Sequence, residues 1–205
     1  MIWTIIANYF LEHWVEFAGF LTTWVGIWLT TKRLMICWPV VLAADFFYLV
    51  VFFRAGLFSD TLLQVFFIGF TLYGWWYWWR GVREEGEVKV VPLSTWGWAR
   101  GLVAGAAGSV ALGWSMVRLG ALLHMTVALP HLDAALTSYS LVASWWAARK
   151  HTANWWLWIV IDAVYVGEYA YKDLWLTAVL SVGLVVLAVL GLRDWNKAAA
   201  LQIAA

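Results

Sequence analysis

The chain has 205 residues, of which 64% are hydrophobic and only 12% charged, about half the charged share of an average soluble domain. Too few polar residues remain to cover a soluble fold of this size, so a mean hydropathy of +0.78 places the chain among integral membrane proteins. A net charge of +1 without a clustered basic face excludes nucleic acid as a partner. The single cysteine, Cys37, excludes a disulfide framework and a thiolate zinc site and reads as a small packing residue.

Residues Met1 to Phe10 carry no Lys or Arg ahead of their apolar stretch, unlike a cleaved signal peptide. A bilayer core of about 30 Å needs roughly 20 apolar residues per helix. The sequence predicts seven such spans, at 14–31, 37–54, 61–79, 100–118, 133–148, 154–171 and 174–192. Runs such as VGLVVLAVLG at 182–191 are apolar on both parities, so helices are expected rather than the alternating strands of a barrel.

In the second span Trp38 and Asp45 lie seven residues apart. Seven residues are two helical turns, so the two share a face. A carboxylate in hydrocarbon costs at least about 2.5–3.5 kcal/mol, so Asp45 must face an interior cavity or a polar partner. The third span begins with Gln64. Its amide can read a carboxamide or hydroxyl on a ligand, or tie two helices together. Tyr73, Trp75 and Trp78 gather at the far end of that span, where they line an exit path or form an interfacial belt.

The stretch Arg80–Arg100, with Glu84, Glu85, Glu87 and Pro92, is the longest polar segment and reads as a cytoplasmic linker. With the connecting helix it makes a segment at 80–132 between a first three-helix repeat at 14–79 and a second at 133–195, all in one membrane domain spanning 1–205. The sixth span places Trp155, Trp158 and Asp162 on one face. An aromatic face beside a carboxylate suits a flat, positively charged ligand, because the ring stacks and the cation is balanced. The bland alternative is a polar partner that fixes helix packing. Glu168 lies near the outer end of that span, within reach of water or Lys172.

Signals for catalysis are missing. His13, His124, His131 and His151 fall at or near span ends, and His13 with Glu16 makes too few ligands for a metal site. No HExxH motif, phosphate loop or ring-forming filter is present. The expectation is no catalytic residue, no metal and no cofactor, hence not an enzyme.

Ten basic residues fall on one side of the predicted spans: Lys32, Arg33, Arg80, Arg83, Lys89, Arg100, Arg149, Lys150, Arg193 and Lys197. Only three, Arg54, Arg118 and Lys172, fall on the other. The positive-inside rule then places the N-terminus outside and the C-terminus in the cytoplasm.

The sequence also matches itself at an offset of 117. Trp28 falls on Trp145, Lys32-Arg33 on Arg149-Lys150, Trp38 on Trp155, Asp45 on Asp162, Tyr48 on Tyr165, Gly74 on Gly191 and Trp78 on Trp195. Tryptophan is common in a chain with 19 of them, but the acid and the basic pair are rare types here. Corresponding spans are four apart, an even offset, so the two copies run in the same direction. The predicted fold class is an all-α integral membrane protein with seven transmembrane helices in a 3+1+3 arrangement of two parallel three-helix repeats. Repeats of this kind build transporters whose substrate sites lie near mid-membrane between the halves.

Two stretches carry a resemblance to a known family. LLQVFFIGFTLYGWWYWW at 62–79 resembles the third core helix of the Pnu family of vitamin transporters, and NWWLWIVID at 154–162 resembles that family's Trp-x-x-Trp-x-x-x-Asn/Asp signature. The likeness covers nearly the whole chain and is greatest to the family's nicotinamide riboside transporters. It implies facilitated diffusion of an unphosphorylated vitamin across the bacterial inner membrane, followed by phosphorylation by a cytoplasmic kinase that traps it. It also implies ligand contacts at Gln64, Trp155, Trp158 and Asp162, and less directly at Tyr73, Trp75 and Trp78. Family members often carry Asn where this chain has Asp162. An ionised Asp favours a cation such as nicotinamide riboside or thiamine, whereas riboflavin is neutral. The expected partners are the vitamin and membrane lipid, with a homo-oligomer left open. Transport of thiamine or riboflavin, and a membrane sensor that binds a ligand without moving it, are the alternatives.

Overall fold

The computed structural model describes residues 2–54, 58–85, 88–123, 129–171 and 175–204. Among them the chain forms seven helices: α1 (Ile2–Thr31), α2 (Cys37–Arg54), α3 (Phe58–Glu85), α4 (Thr95–Leu123), α5 (Pro130–Ala148), α6 (Asn154–Tyr171) and α7 (Trp175–Ala204). Three of these, over Cys37–Arg54, Thr95–Leu122 and Ala178–Gln202, are long and apolar enough to cross a membrane by composition alone. Others, α3 and α6 among them, are rich in Trp and Tyr, whose rings are apolar but carry a polar atom. His124 and Lys172, and the side chains of His13 and Glu85, lie outside the described residues, as does Glu87.

The second and sixth helices begin and end where the hydrophobic spans predict. The third and seventh do not stop with the apolar run. Beyond it the sequence continues with Arg83, Glu84 and Glu85 in α3 and with NKAAALQIA after Trp195 in α7, residues mostly favourable to helix. An Arg80–Glu84 ion pair, 2.9 Å long and one turn apart, supports the extension of α3. The polar segment Arg80–Arg100 is therefore not a loop throughout. It contributes the last turn of α3 and the first turns of α4, and among its described residues only 88–94 are non-helical. Helix α4 starts at Thr95 because Ser94 caps it, its Oγ accepting the Gly97 N–H at 3.1 Å.

The chain divides into two units, Met1–Val88 and Lys89–Ala205. In the first, α1 packs on α2 and α2 on α3. In the second, α4 packs on α5, α5 on α6 and α6 on α7. The α4–α5 seam is close because α4 presents Gly101, Gly105, Gly108 and Gly113 to Trp146, Tyr139, Ser138 and His131 of α5. Small residues let membrane helices approach, and here the approach brings Ser138 Oγ to the Gly105 carbonyl at 2.9 Å and Tyr139 Oη to the Leu102 carbonyl at 3.2 Å. Leu136, Ala143, Trp146, Leu157 and Ile161 form the core between α5 and α6.

Within the second unit, Val91, ahead of α4, is fastened to the turn between α5 and α6. The Val91 N–H donates to the Lys150 carbonyl at 2.9 Å, and the Thr152 N–H donates to the Val91 carbonyl at 3.3 Å. His151 Nδ1 lies 3.2 Å from the same carbonyl.

Exposed tryptophans account for part of the unusual composition. Trp76, Trp79, Trp96, Trp114 and Trp145 are each followed four residues later by an arginine, and the guanidinium lies 4.8–5.9 Å from the ring centroid. One helical turn brings i and i+4 together, so each pair is a cation on an indole face. Such pairs suit the headgroup level of a bilayer.

Candidate functional site

The 117-residue offset recurs in local geometry. Arg33 and Lys150 are equivalent positions, and both adopt a left-handed backbone, with φ of 57° and 63°. The turns around them repeat bond for bond: Leu34 N–H donates to the Leu29 carbonyl as His151 N–H does to the Trp146 carbonyl, and Trp38 N–H donates to Met35 as Trp155 N–H does to Thr152. In the next helix Trp38 meets Trp78 edge-on at 5.1 Å and 85°, and Trp155 meets Trp195 at 5.5 Å and 86°. The same indoles lie over Gly74 and Gly191, where a Cβ would overlap the ring. In both, the indole Nε1 is buried with no hydrogen-bond partner.

This geometry fixes where the expected site residues fall. Trp155 is 3% exposed and Trp78 is fully buried. Trp155 itself lies over Gly191, and Trp78 packs edge-on against Trp38, the indole that covers Gly74. Tyr73 is half-buried and stacks on Tyr77 at 5.9 Å. Trp75 is half-buried and, with Leu72, Trp76 and Trp79, lines a shallow groove of about 360 Å³ along α3.

In the first unit Asp45 is occupied. Its Oδ2 accepts a hydrogen bond from Thr71 Oγ1 at 2.7 Å, which ties α2 to α3. Thr71 is the residue that sequence reading left out of the site. It lies two turns after Gln64 and so shares its face. Gln64 itself is buried at 9% exposure, and its Oε1 has no hydrogen-bond partner. A buried amide oxygen without a donor is costly, by about 1–3 kcal/mol, unless something else supplies one.

In the second unit Asp162 is the residue of interest. It is 8% exposed, and no described residue donates a hydrogen bond to it or pairs with it. One turn earlier on the same face stands Trp158, half-buried against the α5–α6 core together with Tyr165. A buried carboxylate with no donor among the described residues, one turn from a half-buried indole, can balance a cation whose ring stacks on that indole. Glu168 is buried in the C-terminal half of α6. Among the described residues no cluster of three or more His, Cys, Asp or Glu side chains could hold a metal.

The family model for nicotinamide mononucleotide transporters matches residues 13–197. The chain belongs to that family. It is 27% identical over 175 residues to the nicotinamide riboside transporter PnuC of Escherichia coli, a match covering 73% of this chain and 71% of that one. It is also 27% identical over 191 residues to the riboflavin/roseoflavin transporter RibM of Streptomyces davaonensis, covering 89% and 84%. A crystal structure of the vitamin B3 transporter PnuC superposes with a TM-score of 0.70 at 21% identity, over 97% of this chain and 87% of that one, which shows a shared fold. These relatives are transporters, not enzymes, and the chain is a multi-pass helical membrane protein of their type.

Proposed function

We propose that this protein takes up nicotinamide riboside across the bacterial inner membrane by facilitated diffusion, and that phosphorylation by a cytoplasmic kinase traps the substrate. The observation that carries the reading is Asp162, buried in α6 beside Trp158 with no donor among the described residues. A pyridinium stacked on the indole would place its positive charge at the carboxylate. Within the first unit, Gln64 has a buried, unsatisfied Oε1 able to accept from a carboxamide or hydroxyl. Tyr73 and Trp75 belong to the path, while Trp78, Trp155 and the Asp45–Thr71 pair hold the helices that present it.

The reading includes the architecture: two parallel three-helix repeats joined by α4, with the N-terminus outside and the C-terminus in the cytoplasm. The recurrence of the turn, the edge-on indoles and the glycine contact at an offset of 117 supports a duplication. The excess of basic residues on one side supports the orientation.

A second reading, riboflavin, is favoured by the longer match to RibM. Competition binding with nicotinamide riboside, thiamine and riboflavin on the purified protein separates them. The expected result is displacement by nicotinamide riboside at the lowest concentration, and preference for riboflavin would reverse the assignment. Counterflow of labelled riboside in sealed proteoliposomes tests transport itself. Binding without exchange would make the protein a sensor.

A further inference from the structure

The two equivalent acids have different neighbours. In the first unit Asp45 accepts from Thr71. The offset of 117 that carries Asp45 onto Asp162 carries Thr71 onto Ala188, and the same register is anchored three residues later by Gly74 and Gly191 under their indoles. Ala188 is 2% exposed. The second unit therefore has a methyl where the first has a hydroxyl, and this matches the finding that no described residue donates to Asp162.

We propose that Ala188 is a specificity-determining position: the missing hydroxyl leaves the Asp162 carboxylate open to a cationic substrate, while Thr71 closes its counterpart Asp45. The inference rests on the uptake of a cationic riboside through Asp162 and adds what makes that acid available. A serine or threonine hydroxyl one turn from Gly191 would donate to Asp162 as Thr71 donates to Asp45. The substrate's charge would then compete with an internal hydrogen bond. The duplication offers two acid sites and a single hydroxyl position decides which one is open.

The matched ligands are nicotinamide riboside, whose ring is a cation, and its dihydro form, which has nearly the same shape and no ring charge. Both are titrated against the wild-type protein and against Ala188→Ser, Ala188→Thr and Ala188→Val. Serine adds one atom to a tight position, so it keeps the test available if threonine prevents folding. Valine has the shape of threonine without the donor. The expected result is that Ser and Thr lower the preference for the cation over the neutral ligand by roughly three- to tenfold, the effect of one competing hydrogen bond, while Val weakens both ligands in parallel and leaves the preference unchanged. An unchanged preference in the Ser variant, or an equal fall in the Val variant, overturns the inference and leaves the uptake reading in place. Failure of the wild-type protein to bind either ligand overturns the uptake reading, and the inference with it.

Discussion

Gly74 and Gly191 sit beneath indoles that leave no room for a methyl group. Alanine at either position forces the ring or the helix to move, and overpacking of this kind costs about 1–3 kcal/mol. The thermal unfolding midpoint of the detergent-solubilised protein should fall in Gly74→Ala and Gly191→Ala. Gly69→Ala is the control, since nothing lies within 4 Å of the Cβ it would add, and its midpoint should stay or rise, because alanine is the better helix former by up to about 1 kcal/mol. Sequence reading found the tryptophans but could not sort them. Trp78 and Trp79 are neighbours of identical chemistry, yet one is fully buried and the other exposed under Arg83. An indole suits a core and an interface equally, so only the register of α3 distinguishes them. The hydrogen bond from Thr71 to Asp45 was illegible for a related reason. Thr22, Thr23 and Thr30 return their hydroxyls to carbonyls one turn back in α1, which is the ordinary habit of a helical threonine. Nothing local marks the one that reaches across to another helix.

At the scale of the element, that hydrogen bond makes a prediction. Thr71→Val keeps the shape and removes the donor, leaving a buried acid without its partner. A loss of about 1–3 kcal/mol follows, read as a lower unfolding midpoint, whereas Thr71→Ser should stay near the wild type. The fastening of Val91 to the α5–α6 turn makes another. Burial, and after it the neighbouring Arg149, push the His151 imidazole below its usual value of 6.5, against the opposing pull of the Val91 carbonyl. The unfolded turn thus binds the proton more readily than the folded one. The stabilising contribution is present above pH 6.5 and is lost as pH falls from there toward the lower folded value. Amide hydrogen exchange at Val91 and Thr152, corrected for its intrinsic pH dependence, should show less protection at acid pH, and His151→Gln should flatten that trend. Helix bounds were legible wherever hydropathy ends at a turn, as at both ends of α2 and α6. They were not where α3 continues as charged helix and α7 as alanine-rich helix, because a search for strongly apolar spans is blind to such helix.

For the whole molecule, orientation is the testable claim. The one native cysteine, Cys37, is 1% exposed, so a reporter thiol introduced at Lys197 carries little background. Lys197→Cys should resist a membrane-impermeant maleimide in intact cells and react in inverted vesicles, and the reverse pattern would turn the molecule over. The recurrence of local geometry at an offset of 117 was legible because its rare members, an acid and a basic pair, agree there. Its asymmetry was not, since a threonine against an alanine looks like ordinary drift until Asp45 is seen bonded and Asp162 is not.

Within each unit the helices that pack together are neighbours in the chain, α1 with α2, α2 with α3, and onward from α4 to α7. No pairing among these has to wait for a distant segment to be synthesised. Contacts so local favour fast assembly, so a nascent chain can settle one hairpin at a time as it leaves the ribosome. The first unit can bury its indoles over Gly74 while the message for Gly191 is still being read.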